Sequence, residues 1–178
     1  SVNPDTLLLA QYRQDQLGPP NPDKYLRYPS LPLYQPGYAM WGLFPNGLIA
    51  NNIKGENTDN QQDISVALQF GWNQIGPPYT TNLNITTHLF VQYLGSDVVS
   101  LPQAVTNGWL AAGVIGFSPT TGYNDITNTT DQSFPLNTLE VWKGYWIRVM
   151  VTEGVTLTYV NPNAPTRAAR LRSRAAVG

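Results

Sequence analysis

Residues 140–159 read EVWKGYWIRVMVTEGVTLTY, which is an apolar strand, a Glu-Gly turn and a second, shorter strand. Residues 33–51, LYQPGYAMWGLFPNGLIAN, have the same order, and their turn carries Asn-Gly, the strongest short hairpin signal. We therefore expect both stretches to form hairpins. Further strand patterns between Gly- and Pro-rich turns lie at 6–12, 24–28, 63–76, 87–95 and 109–118. This recurrence predicts an all-β sandwich or barrel.

Only one helix is expected, over residues 101–107 in the segment LPQAVTNG (101–108). Pro102 suits the first helical turn, since it lacks an N–H that the helix would leave unpaired there. Gly108 suits the position just beyond the helix end. The helix is therefore about two turns long.

The two strand-turn-strand segments belong to longer similar stretches, residues 8–51 and 115–160. Their Gly-Tyr pairs, at 37–38 and 144–145, align. Internal similarity of this kind indicates a unit that packs against a copy of itself. We therefore predict a partial repeat over 1–62, a complete repeat over 63–164, and a basic tail over 165–178 that is flexible unless a partner binds it.

Three motifs in the complete copy carry a family resemblance: GWNQIGPPY (71–79), IGFSPTTGY (115–123) and WKGYWIRV (142–149). Together they resemble a repeat found in large bacterial secreted and cell-surface proteins, a family of unsettled biochemical function. The resemblance covers residues 71–160 in full and 8–51 in part. It implies an extracellular β-domain and implies no catalytic residues.

The first copy lacks the Gly-Trp-Asn opening that the second copy has at 71–73. An incomplete sheet has an open edge, and open edges invite strand addition. Residues 6–12, TLLLAQY, are the segment that one molecule could donate to another. The alternative is that this strand pairs within its own chain, and the sequence leaves both alternatives open.

Composition favours a secreted or cell-surface protein. Charged residues make up 12% of the chain, against a typical ~25%, and there is no cysteine. Disulfides and thiolate metal sites are therefore excluded. No apolar run approaches the ~20 residues of a membrane-spanning helix, so no membrane span is predicted.

Charge is divided between the body and the tail. Residues 1–166 carry 6 basic and 11 acidic side chains, a net charge of −5. The tail carries Arg167, Arg170, Arg172 and Arg174. These arginines form either a solvated terminus or an electrostatic contact with an acidic surface, such as another copy of this chain. No known reader motif accompanies them, so no nucleic-acid partner is predicted.

Catalysis finds little support in the sequence. His88 is the one histidine, it lies in a strand-like run, and no Gly-x-Ser-x-Gly motif accompanies it. A hydrolase using His88 is a third and weaker hypothesis. Glu56, Asp59 and Asp63 form an oxygen-rich segment, but their spacing matches no standard calcium loop. We therefore predict no enzyme activity, no metal and no cofactor.

The favoured function is a structural subunit that assembles with copies of itself into a fibre, surface layer or matrix. The residues predicted to carry assembly are Leu7, Leu8, Leu9, Tyr12, Arg167, Arg170, Arg172 and Arg174. The alternative is a carbohydrate-binding module, because exposed aromatic rings stack on sugar faces. Its predicted residues are Tyr79, Trp109, Tyr123 and Trp142, whereas Trp72 and Trp146 are expected in the core. Asn84 and Asn128 head Asn-x-Thr triplets and are candidate glycosylation sites.

Overall fold

The computed structural model of the chain describes residues 8–12, 25–27, 35–43, 62–128 and 134–163. Regular structure in these ranges is mostly β, so the all-β prediction is confirmed. The strands are β1 (Leu8–Tyr12), β2 (Tyr25–Arg27), β3 (Trp41–Leu43), β4 (Ile64–Leu68), β5 (Gly71–Ile75), β6 (Leu83–Asn84), β7 (Leu89–Gln92), β8 (Val99–Ser100), β9 (Ile115–Ser118), β10 (Gly122–Asp125), β11 (Thr138–Leu139), β12 (Tyr145–Val149) and β13 (Val155–Tyr159). The helices are α1 (Ile85–His88) and α2 (Leu101–Thr106).

The described strands form four antiparallel sheets. The N-terminal sheet has the order β2-β1-β3, and β6 pairs with β11 alone. The front sheet has the order β10-β9-β12-β5, and the back sheet has the order β4-β13-β7-β8. The front and back sheets are the two layers of a sandwich-like fold.

Residues 140–159 form a corner between the two layers, so the hairpin prediction for this stretch is wrong. β12 belongs to the front sheet and β13 to the back sheet. β12 already pairs with β5 and β9, and β13 already pairs with β4 and β7. Each strand has its backbone groups engaged on both sides, so neither has a side left for the other. β4 and β5 form a second corner beside the first, from the back layer to the front layer.

One core lies between the front and back sheets. Side chains from alternate positions of β12 and β13 enter it, as the two-residue period of a strand requires: Tyr145, Ile147, Val149, Val155, Leu157 and Tyr159. Burial raises the pKa of Tyr145 to about 12, and its hydroxyl oxygen accepts a hydrogen bond from the Glu140 N–H at 2.8 Å. The buried tyrosine thereby ties the turn before β12 to the core.

The predicted helix at 101–107 is observed as α2, whose N-cap is Ser100 and which is followed by Gly108 at φ +74°. Two strand predictions are too long. The 87–95 stretch forms a strand only over Leu89–Gln92, because Asn84 caps α1 immediately before it. The 109–118 stretch forms β9 only from Ile115, since Gly113 at φ +93° interrupts the extended backbone.

The segment around the first Gly-Tyr pair, Gly37-Tyr38, docks on β5, the strand that carries Gly-Trp-Asn. Tyr38 forms an antiparallel bridge with Ile75 from one side, and Tyr145 pairs with Ile75 from the other. The Gly76 N–H also donates to the Gly37 carbonyl at 3.1 Å. The first copy has no Gly-Trp-Asn strand of its own. Its Gly-Tyr segment instead contacts β5, the Gly-Trp-Asn strand of the second copy.

Strand order is the same in the two similar stretches, 8–51 and 115–160, as far as their residues are described. β1 lies between β2 and β3, as β9 lies between β10 and β12. β1 thus pairs within its own chain on both sides, which is one of the two alternatives that the sequence left open. The other predicted elements of assembly, Leu7 and the tail 165–178, lie outside the described residues.

Candidate functional site

The outer face of the front sheet, which points away from the core, carries the candidate site. β12 buries Tyr145, Ile147 and Val149 and so directs Trp146 and Arg148 to the opposite face. Neighbouring strands place Trp72 opposite Arg148 and Ile115 opposite Trp146. Cross-strand partners share a face, so these side chains form one surface.

Two further aromatic residues extend this surface toward the sheet edge. Phe117 and Tyr123 lie opposite each other on β9 and β10, with ring centroids 5.1 Å apart. Phe117 is 38% exposed and Tyr123 is 61% exposed. The outer face of the front sheet therefore carries an aromatic residue on each of its four strands, which is more apolar surface than a solvated β-sheet face normally exposes.

The N-terminal sheet supplies the other side of the site. Tyr12, at the end of β1, packs edge-on against Trp146 with ring centroids 4.9 Å apart, and Trp41 packs against Phe117 at 5.1 Å. Gln74 fastens the two sheets together. In the amide orientation that satisfies both ends, its Oε1 accepts from Trp41 Nε1 at 3.1 Å and its Nε2 donates to the Ala39 carbonyl at 3.3 Å.

These two sheets enclose an open groove of about 430 Å³. Its lining residues, which define the aromatic groove, are Tyr12, Trp72, Ile115, Tyr123 and Trp146. The volume falls within the roughly 300–1,000 Å³ typical of small-ligand sites. The walls are mostly apolar, so the groove offers flat aromatic surface rather than a set of reactive groups.

The structure separates the four residues predicted to bind carbohydrate. Tyr123 lines the aromatic groove. Tyr79 is 4% exposed and donates to the carbonyls of Gln62 (2.8 Å) and Tyr159 (3.0 Å), so it belongs to the core and its predicted role is wrong. Trp109 is half-buried and packs against the same core. Trp142 is 93% exposed but is not among the residues that line the groove.

Sequence reasoning missed Trp72 and Trp146, which were expected in the core. Trp72 is 41% exposed, and Trp146 is only partly buried. The alternation within YWIRV could have identified Trp146. Arg148 is a charged residue that is expected to face solvent, and Trp146, two residues before it in the strand, lies on the same face. Tyr12, predicted to act in assembly, belongs to the same groove.

The remaining predicted site residues show local roles. His88 Nδ1 lies 2.8 Å from Thr87 Oγ1 and 3.3 Å from the Asn84 carbonyl, within its own helical turn. Asp63 accepts from the Asn161 N–H at 3.1 Å, while Glu56 and Asp59 lie outside the described residues. Among the described ranges, no three His, Cys, Asp or Glu side chains are close enough to hold a metal ion.

The two candidate glycosylation sites differ in their surroundings. Asn84 caps α1, and its Oδ1 accepts from the Thr86 N–H (3.0 Å) and the Thr86 hydroxyl (2.6 Å). Asn128 is exposed, but the rest of its triplet lies outside the described residues. Leu9, one of the predicted assembly residues, is half-buried in β1.

Trp142 combines extreme exposure with an unfavourable backbone. Its φ is +65°, a conformation that costs a bulky L-residue about 1 kcal/mol. Trp142→Gly is expected to raise the free energy of unfolding by about 0.5–1 kcal/mol, because glycine adopts this φ freely and little buried area is lost. Urea unfolding measures the change. Trp142→Ala is the matched control, since it keeps the Cβ and should change stability by less than about 0.5 kcal/mol; equal values for both variants would contradict the strain argument.

No protein-family model, curated protein or solved structure was found to match the chain. The resemblance to a bacterial surface repeat therefore stays a prediction. In the part of the chain that the structure describes, neither helix is long and apolar enough to cross a membrane.

Proposed function

We propose that the protein is a non-enzymatic, extracellular binding module whose aromatic groove holds a glycan. The observation that carries this proposal is the groove itself. Four aromatic rings and one isoleucine line an open groove with a volume of about 430 Å³. The groove draws its residues from β1, β5, β9, β10 and β12. Its geometry therefore depends on the docking of the N-terminal sheet.

Sugar rings suit this surface because one face of a pyranose presents C–H groups. These groups pack on an aromatic face through dispersion and on its negative quadrupole. Trp72 and Trp146 provide large rings on adjacent strands, and Tyr12 and Tyr123 carry hydroxyls that can hydrogen-bond sugar oxygens. An open groove also admits a chain of sugars, whereas a closed pocket would admit only a single residue.

A glycan array probed with the labelled protein at micromolar concentration tests this function. We expect capture by oligosaccharides whose rings have a flat apolar face, confirmed by a tryptophan fluorescence change on titration, because Trp72 and Trp146 line the groove. The array must include neutral and acidic sugars of several linkages. An array without any captured glycan, together with unchanged fluorescence, would contradict the proposal.

A structural subunit that assembles with itself is the second candidate function. It is favoured by the edge strand β10, which pairs only with β9 among the described strands and carries the exposed Tyr123. Such an edge can add a strand from another molecule. Electron microscopy of the same preparation distinguishes the candidates: filaments or sheets support assembly, and monodisperse particles contradict it.

A further inference from the structure

Arg148 is the cross-strand neighbour of Trp72, one of the residues that line the aromatic groove. Arg148 is exposed on β12, directly opposite Trp72 on β5. Its guanidinium carbon lies 5.9 Å from the centroid of the Trp72 ring, within the range of a cation–π contact. The guanidinium therefore lies over one face of a ring that lines the groove.

Arg148 differs from Lys143, which lies just before β12, because it forms no salt bridge with any described carboxylate. Lys143 pairs with Glu140 and lies 5.1 Å over the ring of Phe134, which is buried in the core on the other side of the front sheet. None of the described carboxylates forms a salt bridge with Arg148. Its five N–H donors are thus available to a ligand.

Asp125, which lies in the neighbouring cross-strand row with Ile115 and Trp146, forms no salt bridge with Arg148. Asp125 lies opposite Ile115 on β9. Its Oδ1 accepts from the Val114 N–H (3.2 Å), the Thr127 N–H (2.9 Å) and the Thr127 hydroxyl (2.7 Å). One oxygen of this carboxylate is therefore engaged by its own loop.

We infer that the glycan bound in the aromatic groove is acidic and contains uronic acid residues; this inference rests on the proposed function. A sugar stacked by its face directs its C5 carboxylate outward in the plane of the ring, toward the neighbouring side chain. A guanidinium binds a carboxylate with two parallel N–H···O bonds, which no neutral hydroxymethyl group can match. Arg148 thus selects the acid, and the aromatic rings supply surface for any sugar.

The test uses matched oligosaccharide pairs that differ only in oxidation at C6, such as β-1,4-linked mannuronate and β-1,4-linked mannose. We expect the full-length protein to bind the uronate about tenfold more tightly at low salt, with the preference falling as salt rises. Arg148→Gln should abolish the preference while retaining binding of the neutral member. Arg148→Lys should keep part of it, because the charge remains and the fork is lost.

Lys143→Gln is the matched control. It also removes one positive charge, but at a position that does not line the groove, so the preference for the uronate should stay intact. Equal affinity for both members of every pair overturns this inference but leaves the groove as a glycan site. A uronate preference that survives in Arg148→Gln also overturns it. Absence of binding to either member, when other glycans on the array bind, overturns it as well, whereas absence of all glycan binding overturns the proposed function itself.

Discussion

Trp146→Ala is expected to weaken glycan binding about 30-fold, the largest effect of any single change in the groove. Trp146 lies between Tyr12, whose ring is 4.9 Å away, and Ile115, its partner on β9, so it is central to the groove. Truncation of a central aromatic residue in a binding site typically costs about 2 kcal/mol or more. Isothermal titration with the best glycan from the array measures the change.

Trp142→Ala is the control for this prediction. It removes the same side chain from a site that is 93% exposed and does not line the groove, so affinity should stay within about twofold of the wild type. Tyr123→Ala offers a variant that leaves the packing of β1 on β12 untouched, because Tyr123 is 61% exposed at the sheet edge. If Trp142→Ala weakened binding as much as Trp146→Ala, the ligand would bind elsewhere.

Gly154→Ala is expected to lower the free energy of unfolding by about 3 kcal/mol. Gly154 has φ +78° in the corner between β12 and β13, and a Cβ there would lie 2.4 Å from the Leu68 carbonyl oxygen. Left-handed strain contributes about 1 kcal/mol, and the clash with a backbone atom of the paired strand contributes the rest. Chemical denaturation followed by tryptophan fluorescence measures the loss.

Gly122→Ala separates the two contributions. Gly122 has the same φ, +78°, but an added Cβ would meet nothing within 4 Å. This variant should lose only about 1 kcal/mol. A similar loss for both variants would contradict the close packing of this corner against Leu68.

Much of the secondary structure could be predicted from short-range pattern. Alternation of apolar residues located β4, β12 and β13, and the Pro102 and Gly108 signals located α2. These features depend on a residue and its near neighbours, since a strand has a two-residue period and a helix end has fixed capping positions. For the same reason the length of a strand was harder to predict where one glycine, Gly113, ended the extended backbone.

The candidate site depended on contacts between distant residues. The two-residue period of a strand places Trp146 and Arg148 on the same face of β12, but it does not show whether another element covers that face. Tyr12 lies more than a hundred residues earlier in the chain and packs beside Trp146. It leaves the rest of the face open as a groove. Tyr79 is the opposite case: its place in a Pro/Gly turn suggested exposure, but it is buried. Its hydroxyl donates hydrogen bonds to the carbonyls of Gln62 and Tyr159.

Short-range patterns in the sequence were enough to predict that the protein is all-β, which residues of each strand share a face, and the position of α2. Long-range contacts were needed to establish that residues 140–159 turn a corner between two sheets, that β5 borders both Gly-Tyr pairs, and that four aromatic residues and one isoleucine from five strands form a groove. These two kinds of feature differ because backbone geometry and periodicity are local. Strand pairing and burial depend instead on which distant segments satisfy each other's backbone hydrogen bonds and cover each other's apolar surface.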